Sequence, residues 1–105
     1  MMQKTTFKEI RLKLPADIVE TISGKEIITL LMDKALSKAE YYQSKFKQFE
    51  EKYNMDFTTF RNKVEGPEPE VFSEWDDLIV WEGYELGHKE WEKKYEELRG
   101  CMEYY

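Results

Sequence analysis

At 105 residues the chain is one domain's worth of polypeptide, and 15% aromatic content argues against a disordered chain. There is no run of about 18 apolar residues to span a membrane, and Met1–Thr6 does not read as a signal peptide. One cysteine, Cys101, excludes an internal disulfide, so a cytoplasmic protein is expected. The net charge of −6 is unevenly spread. Residues 1–55 carry ten Lys/Arg against eight Asp/Glu, a balance of +2, and residues 56–105 carry six against fourteen, a balance of −8. A basic arm (Lys4, Lys8, Arg11 and Lys13 against Glu9) joined to an acidic tail suggests two partners or two roles. Ordinary solvated helix surface is the competing explanation for the acidic half.

In chain order, Thr5–Leu14 reads as a strand, with Ile10, Leu12 and Leu14 on one face and Glu9, Arg11 and Lys13 on the other. No second strand follows, so pairing with the same strand of another copy is favoured over docking as an arm. Pro15 suits a first helical turn, and Ala16–Ile22 is expected to be a short helix ended by Ser23-Gly24.

Lys25 to Asn54 reads as one long helix. Ile28, Met32, Ala35, Ala39, Tyr42, Phe46, Phe49 and Tyr53 recur at alternating intervals of four and three, a heptad seam without Pro or Gly. In its first third Ile27, Leu30, Leu31 and Leu36 place apolar side chains on several faces, which implies cover from several sides. A head at residues 1–36 and a helical shaft at 37–105 are therefore expected within a single domain.

Asn54 suits a left-handed helix stop, and Asp56 an N-cap, with Met55 and Phe60 at the staple spacing. Gly66-Pro67-Glu68-Pro69 is the one evident linker. Ser73 is expected to cap a last helix reaching Arg99, with Trp81, Tyr84, His88, Trp91, Tyr95, Leu98 and Met102 as its seam. The predicted fold is mostly α: an N-terminal strand and short helix lead into a long antiparallel helical hairpin with a short connecting helix, and the head is dimeric. Residues 38–54 are expected to pack on 81–102.

No catalytic constellation, cofactor-binding motif or metal-ligand set is present, so an enzyme is not expected. His88 is the single histidine and reads as a packed side chain. The acids Glu74, Asp76 and Asp77 read as a solvated helix start. Gly83 and Gly87, four apart in a helix, suggest close helix approach, with a low-stability segment as the alternative. The aromatic stripe of the last helix reads mainly as core, but Trp75, Trp81, Tyr84 and Trp91 are also candidate partner-binding residues, because such side chains dominate interface energetics.

The basic alternating strand, Leu14-Pro15, the short helix, the Ser23-Gly24 break and the second helix together resemble a ribbon-helix-helix beginning over residues 7–36. The layout of the whole chain, with Lys52-Tyr53-Asn54-Met55-Asp56-Phe57 and Trp75-Asp76-Asp77-Leu78-Ile79-Val80-Trp81, is similar to antitoxins of type II toxin–antitoxin pairs. The resemblance implies a homodimer, with Glu9, Arg11 and Lys13 facing DNA bases and Ser23, Gly24 and Lys25 meeting the backbone. It also implies a basic toxin protein as partner. The first helix is shorter than is usual in that family. A coiled-coil adaptor without DNA binding is the alternative, favoured by a pI near 4.9.

Overall fold

The computed structural model describes residues 5–105, so Lys4 of the basic arm and the first four residues of the Met1–Thr6 stretch lie outside it. The elements are α1 (Ala16–Thr21), α2 (Gly24–Tyr53), α3 (Phe57–Val64) and α4 (Phe72–Cys101), followed by a single 3-10 turn at Met102–Tyr104. α2 and α4 form an antiparallel hairpin, and the molecule measures 64 × 32 × 20 Å.

Side-chain chemistry explains the helix ends. Ser23 Oγ accepts from the Glu26 N–H at 3.1 Å and opens α2. Asn54 closes it at φ 53°, ψ 43°, the left-handed conformation that asparagine tolerates. Asp56 then caps α3 by accepting from the Thr59 N–H at 2.8 Å. Hydrogen bonding to Thr59, from its side chain first and its backbone N–H second, draws the Asp56 carboxyl below its ordinary pKa. Ser73, however, is not the cap of α4. The Val71 carbonyl takes the first bonds, from the N–H groups of Glu74 and Trp75, so the helix starts at Phe72 and Ser73 lies inside its first turn.

The two seams meet as their periodicity requires. Tyr53 is joined to Asp77, Phe49 stacks on Trp81, Tyr42 lies against Gly87, and Tyr105 lies against Gly24. This register runs the full length of both helices. Residues 38–54 thus face the segment from Asp77 to about Trp91 rather than 81–102, and the last third of α4 covers the start of α2. Capping α4 at Val71, two residues before Ser73, and carrying it past Arg99 lets it match α2 from end to end.

The buried core lies at the turn end. Phe60 and Trp81 are fully buried, Val64 and Leu78 nearly so, and Phe46, Phe49, Tyr53, Met55, Phe57 and Trp75 pack around them. α3 folds back across the hairpin and supplies the third wall. In the other half the seam carries Ala35 and Ala39, both buried, which let α4 approach closely. Around them Leu30, Leu31 and Leu36 are exposed. Residues 5–15 have no regular secondary structure in the single chain, and no strand occurs among the described residues to pair with them.

Candidate functional site

Two apolar surfaces stand out as uncovered among the described residues. The first lies at the open end of the hairpin. There the arm residues Ile10, Leu12 and Leu14, the α1 residues Ile18 and Val19, and Leu30 and Leu31 of α2 are all exposed, Ile10 by 79%. The arm meets the C-terminus where Phe7 lies edge-on to the ring of Tyr104 at 5.6 Å. The polar side chains Glu9, Arg11 and Lys13 are exposed on the same arm. Ser23 is engaged as the α2 cap, and Lys25 is exposed. A Cβ on Gly24 would come within 2.7 Å of the Tyr105 ring, so Gly24 admits the close approach of the C-terminus to the start of α2.

The second surface is the outer side of α4. Phe72 is 82% exposed, Ile79 68% and Leu86 58%. Gly83 lies between them, exposed, with open space where a Cβ would be. The candidate pair of glycines therefore divides. Gly87 is a close-packing position, since a Cβ there would meet the Tyr42 ring at 2.9 Å, whereas Gly83 touches nothing across the hairpin.

The tryptophans and tyrosine expected at a partner surface sit mainly on the inner face. Trp81 is fully buried among Phe49, Phe57 and Phe60, and its indole N–H donates to Glu85 at 3.2 Å. It is committed to the chain's own core, which corrects its place among the partner-binding candidates. Trp75 packs half-buried against that core, and Tyr84 is half-buried between Tyr42 and Phe49. Trp91 is half-buried with the Lys94 ammonium 4.2 Å above its ring. The period that located this stripe could not tell its inner side from a partner-facing side. The outer row was legible in principle, because Phe72, Ile79 and Leu86 are seven residues apart.

The polar groups form structural ties. Asp77, at the start of α4, accepts from Lys52 at 2.6 Å and from the Tyr53 hydroxyl at 2.5 Å, pinning the end of α2. Partial burial pushes the Asp77 carboxyl pKa upward, but the bonds from Lys52 and Tyr53 prevail and hold it below its ordinary value. The same contact raises Lys52, while burial first and the bond to Asp77 second raise Tyr53. Arg61 pairs with Glu82, and Lys63 with Glu74 at 3.3 Å, both joining α3 to α4. His88 Nδ1 lies 2.9 Å from Glu92, and its ring meets Phe46 edge-on at 5.3 Å. An open groove of about 420 Å³ runs beside Leu86, lined in part by Phe57, Arg61 and Lys89. Among the described residues no cluster of three or more His, Cys, Asp or Glu side chains is placed to hold a metal ion. None of the helices described is long and apolar enough to cross a membrane.

No protein-family model, curated protein or solved structure matches this chain.

Proposed function

We propose that the chain is a non-enzymatic, dimerising regulator of the antitoxin type. Two copies join through their open ends, the paired arms turn Glu9, Arg11 and Lys13 toward DNA, and the acidic hairpin covers a basic toxin protein. The observation that carries this reading is the uncovered apolar surface of the arm, α1 and the first third of α2. Ile10, Leu12 and Leu14 alternate in sequence, so an arm drawn out as a strand would carry them on one side. A second copy of the arm would pair the free backbone groups of the first and bury these side chains at the same time. With about 1–2 kcal/mol for each half-exposed aliphatic side chain, two copies would together gain on the order of 10 kcal/mol. That is comparable to the cost of association.

The charge division supports the remainder. The arm is basic and α4 is acidic, with nine Asp/Glu against four Lys/Arg between Phe72 and Cys101. The overall pI near 4.9 favours the second reading, an adaptor that binds protein but no nucleic acid. A gel shift on the DNA upstream of the chain's own gene, alone and with the neighbouring gene's product, separates the two. Retardation that weakens in Arg11→Ala and Lys13→Ala, with the salt dependence flattened by about one unit per lost phosphate contact, supports the regulator. No retardation in either condition leaves the adaptor.

A further inference from the structure

α4 has two faces, and the hairpin uses only one. At 3.6 residues per turn Phe72, Ile79, Gly83 and Leu86 fall within a stripe about 60° wide, on the side of the helix opposite Trp81. Three large apolar side chains in water at heptad spacing are costly to solubility unless something covers them. Gly83 sharpens the point. A glycine inside a helix costs about 1 kcal/mol relative to alanine, and nothing within the chain needs the space it leaves. Between Ile79 and Leu86 it forms a notch in an apolar ridge, the shape that lets a crossing helix approach closely.

We infer that the outer face of α4 is the docking surface for a cationic amphipathic helix of the protein partner, seated across Gly83 between Ile79 and Leu86. This rests on the antitoxin-type reading above and moves its partner site from the tryptophan face to the opposite side of α4. The electrostatics select the occupant. Asp76 borders the stripe, as does Glu90, which pairs with Lys94 at 2.9 Å, and the groove beside Leu86 carries Glu50, Asp56 and Glu85 besides the paired Glu82 and Arg61, against Lys89. A second copy of α4 laid on this face would bring together two net-acidic helices, each with nine Asp/Glu against four Lys/Arg, whereas a helix bearing Lys or Arg beside its apolar row would meet mainly opposite charges. The face also lies away from the open end, so dimer formation and partner docking are compatible.

The test uses the full chain and two synthetic peptides of about three heptads, identical in Leu and Lys content. One has its leucines on a single helical face and the other has them scattered. Binding is read by fluorescence anisotropy at physiological salt. The ordered peptide should bind about tenfold or more tightly than the scattered one. Ile79→Asp with Leu86→Asp should remove that preference by a similar factor, although the variant is more acidic and would hold a purely electrostatic ligand more tightly. Both positions face water in the free chain, so helicity by circular dichroism should be unchanged. Gly83→Leu, which fills the notch without altering charge, should weaken the ordered peptide in the same way. Leu31→Asp, directed at the open end, should not change peptide affinity, so failure of the dimer reading is seen separately. Equal affinity for the two peptides overturns the inference, as does unchanged or tighter binding by the double variant. A halved mass for that variant in light scattering overturns it too, because the face would then serve a second copy.

Discussion

The two ends of the hairpin are built from the same pair of helices and differ in what fills the space between them. At the turn end, α3 closes a third side, and Trp81 is surrounded by the rings of Phe49, Tyr53, Phe57 and Phe60 within 6.3 Å. Ion pairs from Lys52, Arg61 and Lys63 then tie α2 and α3 to α4. At the open end the seam narrows to Ala35 and Ala39, and the larger aliphatic side chains point elsewhere. One end completes its own core, and the other presents apolar side chains that this chain does not cover. The buried core is thus concentrated at one end, a division that a helical rod can hold because its contacts are mostly local along the axis.

Removing the ring at the centre of the closed end should break that contrast most severely. Trp81→Ala, or Phe60→Ala beside it, should cost about 3–5 kcal/mol in denaturant unfolding. Phe46 is only half-buried against His88, so Phe46→Ala should cost less, about 2 kcal/mol. The glycine pair sharpens the comparison through sign. Gly87→Ala must displace the Tyr42 ring and should lower the melting temperature. Gly83→Ala meets open space and should stabilise by up to about 1 kcal/mol.

The smallest effect expected is the pH dependence of the Asp77 tie. Because its folded pKa lies below the ordinary 3.8, the stability it adds is complete above that value. It is lost as pH falls through the lower folded value. Asp77→Asn should flatten this acid limb in a pH series of unfolding curves while leaving the neutral region's slope unchanged. At the alkaline end the raised Lys52 and Tyr53 act in the opposite sense. Their contribution is complete below their ordinary values and is lost as pH rises through the folded ones.

Much of this architecture was legible in the residues, because the seams of α2 and α4 repeat without interruption and the caps at Asn54 and Asp56 use side chains with strong local preferences. What misled was information that a period does not carry. Ser73 looked like a cap, but a backbone carbonyl two residues earlier opened the helix. The apolar breadth of Ile27–Leu36 implied cover from several sides, and within the single chain Leu30, Leu31 and Leu36 stay exposed, while the buried rings gather at the far end. Trp81 and Gly83 are two residues apart on one helix, and composition alone could not assign one to the core and the other to open surface. The face of Phe72, Ile79 and Leu86 went unread because the stronger aromatic seam on the opposite side dominates the same stretch.

The central claim is that the open end is completed by a second copy, and molecular mass in solution tests it most directly. Light scattering at micromolar concentration should give twice the 12.7 kDa of the chain. Leu31→Asp, which places a charge on the uncovered surface without touching the aromatic core, should return the single-chain mass with helicity retained. A single-chain mass for the unaltered protein, or an unchanged double mass in Leu31→Asp, would contradict the account.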